Sequence, residues 1–370
     1  MYSQQDLDEA VAAGAIDATA AASLRNYFEG DRSAPAIDEE QFRLVTSFND
    51  IFVSIASAIL LFAVGWIGQS IGQGLGLAIE GNGPSPVGPL AVAGTAWALA
   101  EFFTRKRRMA LPSILLLLAF VFGVLFAAGV SLGLIVGEET LNDNEKAAAL
   151  IAAASAVVAV GAAWLHWRRF KVPITIAAGT AALVGVVIAL IAYSISDIAD
   201  TRNILLGLGL LLGIGVFLFA MRWDGSDPRR ETRRSDVAFW LHLLAAPLIV
   251  HPVFSLLGLT DGNATVLEAL AVVLVYVLLG LTALAIDRRA LLVSALAYVL
   301  WALSDLFERF GAVELNVAFT ALVIGSALLL LSAFWHTARR AVVRPLPPGL
   351  QARLPVLDRT MLDRTGAVTA

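Results

Sequence analysis

The chain contains no cysteine. That absence removes disulfides, thiolate nucleophiles, iron–sulfur clusters and covalently attached haem. Charge is also scarce: Asp, Glu, Lys and Arg supply 15% of the 370 residues, against about 25% in a soluble domain. Apolar residues reach 58%, and mean hydropathy is +0.79. A single soluble domain and a disordered chain are excluded. A net charge of −4 gives no basic field for nucleic acid. The lipid bilayer is the partner that this composition demands.

Catalytic patterns are missing too. There is no HExxH, no glycine-rich phosphate loop followed by Lys-Ser/Thr, no Ser/His/Asp set and no paired-carboxylate motif. No metal or cofactor is expected, and an enzyme acting on a lipid-linked substrate ranks third among the functional readings.

What is present is a series of long apolar runs. A bilayer core needs about 20 apolar residues per helix. Ten stretches qualify or come close: Ile51–Ile71, Val87–Phe103, Ala110–Val136, Ala147–Leu165, Val172–Ile195, Ile204–Met221, Val237–Leu257, Val266–Ile286, Ala290–Leu306 and Leu315–Trp335. The second and ninth are the shortest. The predicted fold is an all-α polytopic bundle of about ten transmembrane helices.

The connecting segments alternate in charge. One set carries Arg105-Lys106-Arg107-Arg108, Arg168-Arg169 with Lys171, Arg222 to Arg234, Arg288-Arg289 and the arginines of the C-terminal tail. With Arg25, Arg32 and Arg43 this side holds 23 basic residues, and the other holds only Lys146, Arg202 and Arg309. By the positive-inside rule both termini are cytoplasmic, as an even span count requires. The expected location is the bacterial inner (plasma) membrane. Trp164, Trp167, Trp223, Trp240 and Trp335 adjoin the basic loops, where indole rings suit the headgroup level. Arg-Arg pairs recur at 107, 168, 229, 288 and 339. Helix–loop–helix hairpins of minimal length account for that period without internal duplication.

Residues Met1–Ser47 are polar and acidic, with no apolar segment of signal-peptide type. They predict a small cytoplasmic helical hairpin. Leu7, Ala10 and Val11 share one helical face, Gly14 ends that helix, and Asp17 caps a second helix bearing Leu24, Tyr27 and Phe28. Three segments follow: a hairpin with its linker over 1–40, the transmembrane bundle over 41–345 and a cytoplasmic tail over 346–370. A polar N-terminal hairpin (QDLDEAVAAGAIDATAAASLRNYFEG) ahead of membrane hairpins with RR-type inner loops resembles a broad class of uncharacterised bacterial multi-pass membrane proteins. These bear an N-terminal domain of unknown function. The resemblance implies a layout and no site residues.

Within the spans, Gly68/Gly72/Gly76, Gly129/Gly133/Gly137 and Gly209/Gly213 are spaced four apart. Small residues at that interval let helix backbones approach, and packing within the chain is the expected use. His166 and His336, in HWRR and WHTARR, read as interfacial. His242 and His251 share one span but point to opposite faces, so they do not form a joint metal site. Glu101 and Arg105 make an i,i+4 pair, and Asp50 and Asp236 sit at helix N-termini. His251 stands apart. It lies within the seventh span, where Pro252 leaves the Leu248 carbonyl without its helical donor. Glu268 opens the eighth span, and Asp305 and Glu308 close the ninth. A polar pocket of His251 with Glu268, Asp305 and Glu308 is therefore the candidate site; placement of the three carboxylates at headgroup level is the competing reading. Two functions follow. In one, the bundle binds or moves a small solute or lipid. In the other, it is a membrane scaffold or sensor whose N-terminal hairpin docks a cytoplasmic protein.

Overall fold

The computed structural model describes residues 11–23, 48–137, 140, 144–196, 200–227, 232–257, 266–289, 291–292, 296, 316–351 and 354–355. The chain divides into two compact units, Met1–Leu44 and Val45–Ala370.

In the first unit a helical turn ends at Ala12, and Gly14 reverses the chain at φ +69°. A left-handed residue at this point suits glycine because no Cβ meets the following carbonyl. Asp17 then accepts the backbone N–H of Ala20. That bond holds its carboxyl below the usual range. The turn and the cap lie where Gly14 and Asp17 were read. The rest of the expected hairpin, including Leu7, Leu24, Tyr27 and Phe28, lies outside the described residues.

Every regular element among the described residues of the second unit is a helix. The order is α1 (Phe48–Gly74), α2 (Val87–Phe103), α3 (Ala110–Val136), α4 (Glu145–Phe170), α5 (Ile174–Ile195), α6 (Thr201–Gly225), α7 (Arg233–Leu256), α8 (Val266–Ile286), α9 (Asn316–Ala333), α10 (Trp335–Val343) and α11 (Pro348–Gln351). Six of these, α1 and α3–α7, are long and apolar enough to cross a membrane. At 17 residues, α2 is at the lower limit. The expected ninth span, 290–306, lies outside the described residues except for 291, 292 and 296.

Neighbours in sequence pack as neighbours in space, and glycines mark where they meet. Gly68 and Gly72 on α1 face Gly88 and Ser85 at the start of α2. Gly185 and Gly179 on α5 face Ala156 and Ala163 on α4, and Gly209 and Gly213 on α6 face Pro252 and Leu248 on α7. Each series runs in opposite directions along its two helices, so the hairpins are antiparallel. Gly68, Gly72, Gly209 and Gly213 are thus consumed by contacts within the chain, whereas Gly76 and Gly137 lie just past helix ends at φ +73° and +88° with nothing within 4 Å of a Cβ. The outward side of α1 carries Phe48, Phe52, Ile55, Ile59, Phe62 and Trp66, all more than half exposed. A helical stripe of this kind is costly in water and suits hydrocarbon.

The interior forms linked apolar clusters. The first joins α1–α5 around Ala96, Leu116, Leu117 and Ala159. The second joins α5–α7 around Val216, Leu241 and Ala245. The third joins α7 to α8 and α10 around Ala246, Ala283 and Trp335. Helix α7 belongs to the second and third clusters, which places it at the centre of the features described next.

Candidate functional site

Helix α7 divides its faces between two environments. One face borders a cavity of about 400 Å³, within the range of about 300–1,000 Å³ typical of small-molecule pockets. Its walls come from four helices: Leu118, Phe122 and Leu125 of α3, Ala156 and Ala159 of α4, Ala177, Ala181 and Gly185 of α5, and Trp240, Leu243 and Pro247 of α7. Alanine and glycine on α4 and α5 make the space, because residues that end at Cβ leave room between helices that larger side chains would fill. Phe122, 52% exposed, stands at its edge. Along α5 the lining runs from Ile174 to Gly185, roughly 16 Å at 1.5 Å per residue, starting at the helix end nearest the basic loops. Every lining side chain is apolar apart from the Trp240 indole. Pro247 has no N–H to offer the Leu243 carbonyl. Such a wall recognises an apolar group by shape, and offers no acid, base or nucleophile.

The opposite face of α7 holds a buried ionic network. His242 follows Trp240 by two residues, which turns it about 200° around the helix. His242, Asp224 and Arg288 are 0%, 4% and 2% exposed. Asp224 comes from the last turn of α6, and Arg288 follows α8. The Arg288 guanidinium donates through Nη2 to Asp224 Oδ1 and through Nε to Oδ2 at 3.3 Å. It also donates to the Ser235 carbonyl and hydroxyl, each at 3.1 Å. His242 Nε2 lies 2.9 Å from Asp224 Oδ2. An ionised carboxylate only accepts, so this nitrogen carries the proton. A burial this complete is tolerated because the charges answer each other and Arg288 Nη2 also reaches the Ser235 carbonyl and hydroxyl.

The network continues toward the tail. Asp287 accepts from Trp335 Nε1 at 2.7 Å and faces Arg339 Nε at 3.7 Å. Arg339 Nη2 donates to the Pro355 carbonyl at 2.6 Å, and Arg289 stacks on the Trp335 ring. Asp227 accepts both the backbone N–H and the hydroxyl of Thr232, at 2.9 and 2.7 Å, while Thr232 caps α7. One polar layer thereby ties α6, α7, the end of α8, α10 and the tail at the basic end.

These positions change several sequence readings. His166 faces the protein interior: it is fully buried between Trp97, Phe120 and Phe170, with Nδ1 3.3 Å from the Thr175 hydroxyl. Trp335 is 3% exposed, drawn inward because its N–H has a carboxylate to meet. Trp240 lines the cavity. Trp164 is exposed, with the Arg168 guanidinium over its ring at 4.9 Å. The Glu101–Arg105 pair forms at 3.3 Å, but Glu101 makes closer bonds to Arg169 on α4, at 2.7 and 2.9 Å. His242 and His251 diverge as read, and His251 is exposed. The pocket expected around His251 depends on Asp305, Glu308 and the Glu268 side chain, all outside the described residues.

The sequence reading missed Asp224 and the inward role of Arg288. A buried histidine in a span needs a partner, and that was the available signal: Asp224 is the acid nearest the inner end of the adjacent span. No protein-family model, curated protein or solved structure matches the chain.

Proposed function

We propose that this protein is a multi-pass membrane protein of the bacterial inner membrane that binds a lipid or small apolar solute in the cavity between α3, α4, α5 and α7. The cavity is the observation that carries the reading: four helices leave an apolar space of about 400 Å³ rather than closing on one another. The space opens beside the half-exposed Phe122, so an apolar molecule can enter it from the bilayer. The polar layer on the far side of α7 keeps one wall of the space in place.

The test uses full-length protein purified in detergent. Native mass spectrometry is expected to find a co-purified apolar molecule. A Cβ on Gly185 would lie 3.9 Å from Ala156 Cβ, so Gly185→Leu can be accommodated at its root and projects into the space. That variant is expected to lose the bound species by at least about tenfold, roughly 1.4 kcal/mol, while keeping its fold. Equal occupancy in both proteins would refute the cavity as the site.

The same reading places the basic loops and both termini in the cytoplasm, supported by the 23-to-3 division of basic residues. Reporter fusions after Lys106 and Arg230 are expected to read cytoplasmic, and those after Asn142 and Gly262 external. One inverted site would overturn the threading in that region.

A further inference from the structure

We infer that the occupant is a phospholipid with an anionic headgroup, its acyl chain in the cavity and its phosphate between Lys171 and Arg233. The inference rests on the cavity reading above and adds the chemistry of the headgroup.

The cavity walls lead toward the basic end. On α5 the lining recurs at Ile174, Ala177, Ala178, Ala181, Ala182 and Gly185, a stripe of helical period. One turn before Ile174 stands Lys171, in a left-handed conformation at φ 55°. On α7, Trp240 and Pro247 are seven residues apart on one face, and seven residues before Trp240 is Arg233. Both stripes thus end in a cation at the same end of the bundle.

The spacing along α7 is compatible with a head and a tail. Seven residues of helix, roughly 10 Å, separate Arg233 from Trp240. A bilayer of about 40–45 Å with a 30 Å hydrocarbon core leaves about 5–8 Å for each headgroup layer. The Lys171 ammonium lies 5.2 Å from the Trp167 ring centroid, an interfacial arrangement of indole and cation.

Several basic residues of the bundle are already paired. Arg105 and Arg169 are paired with Glu101, Arg288 with Asp224, and Arg339 with Asp287. Lys171 and Arg233 are exposed, and among the described residues no carboxylate lies within ion-pairing distance of either. Asp236, one turn from Arg233, feels its charge. An apolar cleft that ends in two such cations fits a molecule with an apolar tail and an anionic head, and a neutral solute would leave them unused.

The full chain is reconstituted in phosphatidylcholine vesicles containing increasing fractions of dibrominated-chain phosphatidylglycerol or dibrominated-chain phosphatidylcholine. Bromine in the cavity quenches Trp240, so the signal is the part of the quenching that Trp240→Phe removes. Gly185→Leu, which keeps the indole and fills the space, is expected to remove the same part. Half-maximal quenching by phosphatidylglycerol is expected at about thirtyfold lower mole fraction than by phosphatidylcholine, the scale set by two basic residues at an anionic surface. Lys171→Gln with Arg233→Gln is expected to erase that preference while leaving quenching by phosphatidylcholine unchanged. Equal half-maxima for the two lipids in the unaltered protein would overturn the anionic headgroup and leave the cavity reading standing. No Trp240-dependent quenching by either lipid would overturn both.

Discussion

Replacing Asp224 with alanine is expected to destabilise the chain by about 3–5 kcal/mol, the cost of breaking a buried ion pair from one side. The carboxylate is the common partner of Arg288 and His242, and all three side chains are at most 3% exposed. Its removal leaves a guanidinium and an imidazole N–H in an apolar interior with their acceptor gone. Denaturant or thermal unfolding in detergent, followed by far-ultraviolet circular dichroism, measures the change. The triple replacement Asp224→Leu, Arg288→Met and His242→Leu is expected to recover most of the loss, because an apolar set of similar volume carries no desolvation cost. A cost under about 1 kcal/mol for Asp224→Ala, the range of exposed pairs, would show that water reaches the network. The Glu101–Arg169 bridge supplies the contrast. Its geometry is as good, but its side chains are 32% and 40% exposed, so its loss is expected to be small.

Gly213→Ala is the second large effect. A Cβ there would stand 2.8 Å from both the carbonyl carbon and oxygen of Leu248. Neither atom belongs to a flexible side chain, so relief requires α6 and α7 to separate. The expected loss is about 1–3 kcal/mol or more, as for overpacked cores. The approach is close because of the sequence on both sides. Gly213 has no side chain, and Leu248 offers a carbonyl whose usual donor position is occupied by Pro252. Gly215, two residues on, has nothing within 4 Å of its Cβ position. Gly215→Ala is therefore expected to be neutral, or stabilising by about 0.5–1 kcal/mol through the better helix former. The pair of variants separates close packing from helix propensity, and equal unfolding midpoints for the two would refute the contact.

Features that repeat locally were legible in the sequence. Apolar runs such as Ala110–Val136 coincide with helices because length and hydropathy are local properties. Gly209 and Gly213 were readable as a contact face, since four-residue spacing fixes a common side of the helix. Asp17 and Gly14 were readable because a cap involves residues only three or four apart. The ionic network was not. Asp224 and Arg288 are 64 residues apart, and Trp335 and Asp287 are 48 apart, so no periodicity within either segment announces the other. Tryptophans beside arginines suggested an interface at Trp335, but a buried indole with a carboxylate for its N–H is equally satisfied inward. The cavity was hidden for a related reason. Alanines at 156, 159, 177 and 181 read as ordinary helix formers until four helices are brought together and the missing volume adds up.

The sequence separation of the network also sets a timetable. Chains elongate at about 5–20 residues per second. His242, 18 residues after Asp224, is made within about 1–4 s at that rate, when less than half of α7 exists. Arg288, 64 residues after Asp224, is made only after about 3–13 s. During that interval the nascent hairpin carries a carboxylate that has met its imidazole but not its guanidinium. Trp335, Arg339 and Pro355 arrive later still. The basic end is therefore assembled in order of translation, with each new hairpin supplying the counter-charge that the previous one was left holding.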